Sequence, residues 1–251
     1  MKAILTAIIL LTLVFSFSSC GDDDDPVNIT NRIMEMKLVD VSRQDTITYT
    51  FSYQEGRLME ATVSGDNTET YTASYDSNNK LEEAGGKRFI WEGDQLVRVI
   101  NENGIWIDLV YGDGSLASGE IKQIDDFSNI ITTLASLTMT NNGSNLGTLQ
   151  NFNISSSTLV THGFTNFDGR VNMFRAIWWF HFVGEGLEAF RTGLIPDALF
   201  MINNPGAYTY AIPSQAFERM IAYTYTYDEY DRVSLVEYTL GGDEYELFVN
   251  Y

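Results

Sequence analysis

Along most of the chain after Pro26, apolar and polar side chains alternate with a period of two. In the stretch TITYTFSY (46–53), one face carries Ile47, Tyr49, Phe51 and Tyr53. Threonine and serine occupy the other face, and the same alternation returns at 223–227 and 245–251. Alternating β-branched and aromatic residues are typical of strands with one buried face. The pattern therefore predicts a β protein with an aromatic core.

A recurring unit connects these strands: an aromatic strand end, a short polar turn, a long polar residue followed by Leu or Val, and a second strand. It appears as FSYQEGRLMEATV (51–63), ASYDSNNKLEEA (73–84), FIWEGDQLVRVI (89–100), FTNFDGRVNMFRAI (164–177) and YTYDEYDRVSLVEY (225–238). Each turn contains Gly, Asp or Asn, which tolerate hairpin geometry. We therefore predict an all-β fold, an antiparallel meander of β-hairpins that forms a strongly curved sheet or barrel.

Two stretches depart from this pattern. The segment TNNGSNLGTL (140–149) is rich in Asn and Gly, which predicts a polar loop that divides the sheet into halves. Within 184–200, Leu187, Phe190 and Leu194 are spaced for one face of a short helix that ends before Pro196. We predict one short helical insert near 185–195, which lies as a plug or flap over an open end of the sheet.

The N-terminus has the pattern of a secretion signal. Lys2 precedes an apolar run at 3–15 that is too short to span a bilayer but suits a signal peptide. Small residues lead to Cys20, the one cysteine of the chain, and Asp22–Asp25 follow it. A single thiol forms no intramolecular disulfide, and acylation at this position would attach the chain to a membrane. The predicted organisation is a lipoprotein signal peptide at 1–19, a lipidated acidic linker at 20–27 and a single antiparallel β domain at 28–251.

The segment SFSSCG (16–21) resembles a bacterial lipobox, although Phe17 stands where Leu is usual. The acidic run after Cys20 resembles the surface-export signal of Bacteroidota lipoproteins. The hairpins, as in YTYDEYDRV (225–233), look loosely like the tyrosine–aspartate repeats of Rhs-type shells. Together these features resemble a Bacteroidota lipoprotein family of unknown function with a porin-like β fold. The family resemblance implies a single, strongly curved antiparallel sheet or barrel, and it assigns no catalytic residues. The lipobox and the acidic run imply an outer-membrane lipoprotein exposed at the cell surface.

Two orientations of the aromatic faces are compatible with a porin-like barrel. Aromatics that face outward would suit lipid, as in an inserted barrel. The remaining faces consist of Thr, Ser and Glu, and a lipid anchor would be superfluous on an inserted barrel. We therefore expect the aromatic side chains to face inward, in a soluble domain tethered through Cys20.

Charge and composition narrow the possible partners. The 251 residues include 15 basic and 34 acidic side chains, a formal net charge of −19. This balance argues against nucleic acid and anionic lipid headgroups, which require basic residues. The two histidines, His162 and His181, have no metal-ligand spacing, and we predict no metal and no cofactor. No nucleophile motif accompanies them, so we predict that the protein is not an enzyme.

One aromatic cluster, IWWFHF (177–182), is a candidate binding surface. As a strand it would place aromatic side chains on both faces. Core packing under the helical insert and stacking against a sugar ring both explain this composition. If the cluster binds a ligand, the residues concerned are Trp178, Trp179, His181 and Phe182. The other two tryptophans, Trp91 and Trp106, are expected in the core.

A smaller motif, DTI (45–47), resembles the O-glycosylation site of Bacteroidota secreted proteins and would make Thr46 the modified residue. Taken together, the sequence favours a surface-anchored binding module for an extracellular glycan or an envelope protein. Two alternatives remain open: a carboxylate-based glycan hydrolase and a purely structural envelope component.

Overall fold

A computed structural model describes residues 32–101, 103–112, 115–125, 129–193 and 201–251. The predicted signal peptide, Cys20 and the acidic linker lie outside the described residues, as do Leu194 and Pro196 of the predicted helix region.

Strands make up most of the described chain. Their bounds are β1 Glu35–Asp40, β2 Asp45–Gln54, β3 Arg57–Ser64, β4 Thr68–Tyr75, β5 Leu81–Ala84, β6 Lys87–Glu92, β7 Gln95–Asn101, β8 Ile105–Gly112, β9 Ser115–Ile124, β10 Ile131–Asn142, β11 Asn145–Asn153, β12 Thr158–Thr165, β13 Ala207–Ile212, β14 Phe217–Ala222, β15 Thr224–Tyr227, β16 Val233–Leu240 and β17 Asp243–Asn250. A 3₁₀ helix at Met173–Phe182 leads into helix α1 at Gly184–Thr192, and a short 3₁₀ turn occupies Pro213–Gln215. Among the described helices, none has the length and apolar character needed to cross a membrane.

The strands form an antiparallel meander in which the first strand also meets the last. From β1 to β14, and again from β15 to β17, each strand pairs with the next one along the chain. Strand β1 pairs with β2 along one edge and with β17 along the other. Only Tyr223 separates β14 from β15, so the two strands form one continuous segment. This segment pairs with β13 through β14 and with β16 through β15. The result is a nearly closed 17-stranded barrel, which confirms the predicted all-β meander.

The antiparallel order places successive turns at alternate ends of the barrel. We call the end where β1 begins the N-terminal rim and the end where β1 finishes the distal rim. The chain enters the described structure at Arg32, on the N-terminal rim. The turns that follow β1, β5 and β7 all lie on the distal rim.

The aromatic faces point into the barrel, as predicted. On β2, Tyr49 and Phe51 are each 1% exposed, whereas the intervening Thr50 and the following Ser52 are exposed. The period-two alternation therefore separates an apolar interior from a polar exterior along this strand.

The prediction of a polar loop at 140–149 is wrong, because this segment forms a tight hairpin. Strand β10 continues to Asn142 and β11 begins at Asn145. The turn needs only two residues, and Gly143 adopts a φ of 62° that favours glycine. The polar residues of this segment have two roles. Thr140 and Asn142 are exposed on β10, whereas Asn145 is buried and accepts hydrogen bonds from the backbone NH groups of Ile202 and Asn203.

The expectations of a hairpin at 164–177 and of a strand at 177–182 are also wrong. Strand β12 ends at Thr165, and the next element along the chain is the 3₁₀ helix. The side chain of Asn172 caps this helix by accepting a hydrogen bond from the Phe174 backbone NH at 3.1 Å. A kink at Ile177 divides the helix into two short pieces. The predicted short helical insert is confirmed, since α1 follows directly.

The segment 173–192 packs against the inner face of the barrel and acts as a plug. The indole Nε1 of Trp179 donates to the Leu58 carbonyl on β3 at 3.0 Å. The Phe180 ring meets the rings of Tyr49 and Phe51 edge-on, at centroid distances of 5.9 and 5.6 Å. These contacts make the plug part of the hydrophobic core inside the barrel.

The junction between the two plug helices leaves no room for a larger residue at position 186. A Cβ on Gly186 would lie 2.0 Å from the Phe180 carbonyl oxygen, and this neighbour is backbone. We expect Gly186→Ala to lower the free energy of unfolding by about 1–3 kcal/mol, because α1 must shift. Urea denaturation checks this value. Gly163→Ala on β12 is the matched control, because its φ is not positive and the nearest atom to its Cβ position is the Thr209 Cβ at 3.6 Å, an ordinary contact distance. Equal losses for both variants would contradict the steric argument.

Candidate binding groove

The four aromatic-cluster residues proposed from the sequence lie together against the inner face of the barrel. Trp179 and His181 are buried, and Trp178 and Phe182 are half-buried. The rings of Trp178 and Phe182 each meet Phe89 edge-on at 5.8 Å. These contacts account for the cluster as core packing, and its role in ligand binding stays a prediction.

The two histidines occupy different environments. His162 lies on β12, where its Nδ1 is 2.9 Å from the Tyr208 hydroxyl. His181 lies in the plug, where burial lowers its pKa to about 4 and a hydrogen bond with the Phe174 backbone opposes part of that shift. His181 is therefore neutral at physiological pH.

Thr46 is exposed on β2, which leaves it accessible for the predicted modification. Across the described part of the chain, no three His, Cys, Asp or Glu side chains are grouped to hold a metal ion.

A groove of about 490 Å³ opens at the distal rim and is the candidate site. We call it the distal groove. Its lining residues are Glu83, Gly86, Arg88, Ile100, Asn101, Gly104, Trp106 and Ile124. The volume falls within the range of small-ligand sites.

The distal groove lies on the outer surface of the barrel. On β6, Phe89 is buried against the plug and Arg88 is exposed. On β7, Val99 is 4% exposed and lies in the core, so the neighbouring Ile100 points outward. The groove and the plug are therefore on opposite sides of the same sheet.

Four groove residues form a single row across neighbouring strands. Glu83 pairs with Arg88, Arg88 with Ile100, and Ile100 with Trp106. The next partner in the row is Lys122 on β9. Because paired residues share a face of the sheet, this register aligns the five side chains perpendicular to the strands.

An ion network holds Trp106 in place beside this row. Its Nε1 donates to Asp108 Oδ2 at 3.2 Å, and the Arg98 guanidinium lies 5.7 Å from its ring centroid. Arg98 also donates to Asp108, and Lys122 Nζ lies 3.1 Å from the same carboxylate and 2.8 Å from Glu120. Charges of both signs are therefore paired around the indole.

The network also shifts the protonation of its members. Burial raises the pKa of Asp108, but hydrogen bonds from Arg98, Lys122 and Trp106 outweigh it, and the net shift is downward. Hydrogen bonds with Glu120 and Asp108 raise the pKa of Lys122. Both groups therefore stay charged around neutral pH.

The expectation that Trp106 belongs to the core is wrong, whereas Trp91 does pack against the core. The sequence contains a signal for this difference. Trp106 and Asp108 are two positions apart on one strand and so share a face, and a carboxylate on that face indicates the outer surface. The pairing of Trp106 with Ile100 and Arg88 depends on register, which the sequence alone does not specify.

A second polar cluster joins loops near the N-terminal rim. Asn204 Nδ2 donates to Asp168 Oδ2 at 3.0 Å, and the Tyr227 hydroxyl donates to the same carboxylate. The Arg170 guanidinium lies 3.8 Å from the centroid of the Tyr227 ring. These contacts fasten the segments on either side of the plug to β15, which is a structural role.

No protein-family model matches the chain, and no curated protein matches it, so the family resemblance of the sequence stays a prediction. Among solved structures, the chain is similar to a porin-like protein from Bacteroides uniformis, with 16% identity and a TM-score of 0.49 over 87% of this chain and 97% of the other. A porin-like protein from Bacteroides vulgatus shows 10% identity and a TM-score of 0.39 over 88% and 98% of the two chains. The barrel assignment rests on this chain's own strand ladders.

Proposed function

We propose that this protein is a non-enzymatic binding module of the outer-membrane surface that holds a glycan in the distal groove. The observation that carries the proposal is Trp106, an indole on the outer wall of the barrel that lines a groove together with Arg88 and Glu83. A sugar ring has an apolar face that stacks on an indole and hydroxyl edges that bond to charged and amide groups. The groove offers both kinds of contact.

The proposed location follows from the predicted lipid at Cys20. The chain enters the barrel at the N-terminal rim, and the stretch from Cys20 to Asn31 extends to at most about 40 Å. The distal groove lies at the opposite rim. A tether at Cys20 would therefore leave the groove on the side away from the membrane.

Two observations favour binding over the alternatives. Among the described residues that line the groove, Glu83 is the one carboxylate, whereas glycoside hydrolysis uses a pair. A purely structural component would need neither a groove nor an indole in its outer wall.

The test is a glycan-array screen followed by calorimetry on the mature chain with Cys20 replaced by serine. We expect Trp106→Ala to weaken binding at least about tenfold, because a central indole usually dominates an interface. Tyr230→Ala is the matched control, since it removes another exposed aromatic at the N-terminal rim. Binding to an envelope protein but to no glycan, or equal affinity of both variants, would overturn the proposal.

A further inference from the structure

The shape and charge of the distal groove specify the class of ligand more narrowly. We infer that the ligand is a neutral, extended glycan chain that lies across the strands along the row from Glu83 to Lys122. This inference rests on the proposed function, because it names the glycan that the same groove would take.

The extended shape follows from the register of the row. Glu83, Arg88, Ile100, Trp106 and Lys122 belong to five successive strands, β5 to β9. Neighbouring strands lie about 4.8 Å apart, so the row is about 19 Å long. A pyranose is about as long as one strand spacing, and the row therefore accommodates about four linked rings.

The row offers two kinds of contact, an apolar surface in its middle and charged groups towards its ends. Ile100 and Trp106 form its apolar middle, where a sugar face stacks. Glu83 and Arg88 follow on one side, and Lys122 follows on the other. A single ring on Trp106 reaches only the middle, whereas a longer chain also reaches the charged groups that bond to its hydroxyls.

The neutral character follows from the charges around the row. Arg98 and Lys122 are already paired with Asp108 and Glu120. Within the described chain, the side chains of Glu83 and Arg88 make no ion pair. They are cross-strand neighbours of opposite charge, so together they add no net charge to the row. The whole chain carries −19. A polyanionic glycan would meet no surplus of positive charge here and would be repelled by the rest of the molecule.

The experiment measures affinity as a function of chain length and charge by calorimetry. The probes are glucose, maltose to maltohexaose, cellobiose to cellohexaose, the matching mannan and xylan oligosaccharides, and oligogalacturonates of the same lengths. We expect at least one neutral series to bind, with affinity rising at least about tenfold from the single sugar to about the tetrasaccharide and then levelling off. Salt should change this affinity by less than about twofold.

Variants assign the contacts along the row. Arg88→Ala should weaken binding of the tetrasaccharide and leave the disaccharide within about twofold. Arg57→Ala, which makes the same change of charge at the N-terminal rim, should affect neither.

The outcomes separate this inference from the proposed function. Tighter binding of oligogalacturonates that Trp106→Ala abolishes would overturn the neutral ligand and leave the glycan-binding module in place. Equal affinity for a single sugar and a hexasaccharide would overturn the extended ligand. Binding of no saccharide, or binding that Trp106→Ala leaves unchanged, would overturn both.

Discussion

Replacing Trp179 with alanine is expected to lower the free energy of unfolding by about 3–5 kcal/mol. The indole is fully buried between the plug and the barrel wall, so its removal leaves a large cavity. It also removes the hydrogen bond that Nε1 donates to the Leu58 carbonyl, which keeps the one from the Tyr75 hydroxyl. Urea denaturation followed by far-ultraviolet circular dichroism measures the loss.

The neighbouring Trp178 provides the matched control. Its indole is half-buried and contacts the rings of Phe89 and Trp91 at the edge of the same cluster. Trp178→Ala should therefore cost clearly less than Trp179→Ala. A loss below about 1 kcal/mol for Trp179→Ala, or the reverse order of the two variants, would show that the plug does not pack as described.

Acidification is expected to destabilise the fold through His181. Its pKa is about 4 in the folded protein, against an ordinary value of 6.5, because burial disfavours the cation. Below pH 6.5 the unfolded chain takes up a proton that the folded chain does not bind. The contribution of His181 to the free energy of unfolding is therefore fully present above pH 6.5 and is lost progressively as the pH falls to about 4. The whole loss is about 3 kcal/mol, at 1.36 kcal/mol for each pH unit between the two values.

The measurement compares unfolding at pH 7 and pH 4.5 for the wild type and for His181→Gln. Other groups also respond to acid, including the acidic surface, so the relevant quantity is the difference between the two proteins. The wild type should lose about 2–3 kcal/mol more than the variant. Equal responses of the wild type and His181→Gln would refute the assignment.

Local sequence signals were sufficient to predict the class of fold and many of its strands. Alternation in segments such as 46–53 depends on neighbouring residues alone, and it correctly identified the buried aromatic face. The spacing around Leu187 likewise located α1. Closure through pairing of β1 with β17 depends on contacts between the two ends of the chain, for which a single sequence contains no local signal.

The wrong predictions concern segments whose local composition is compatible with two different structures. A short apolar run such as 177–182 suits a buried strand or a buried helix, and only the cap at Asn172 and the surrounding barrel decide between them. At 140–149, asparagine and glycine suit a loop, but a two-residue turn at Gly143 needs only a small part of that stretch. Trp106 was misplaced because tryptophan usually belongs to the core, and its outward direction depends on the strand's place in the barrel.

The pairing of β1 on both edges determines how the protein responds to mechanical force. A pull on the chain at Arg32 acts along the axis of β1, parallel to the strands on either side. Every residue from Glu35 to Asp40 is paired with β2 and with β17. The hydrogen bonds of both ladders are therefore loaded together in shear and do not open one at a time. The strand at which a tether would pull is thus held firmly on both sides, and extraction of the chain from this end requires both ladders to fail at once.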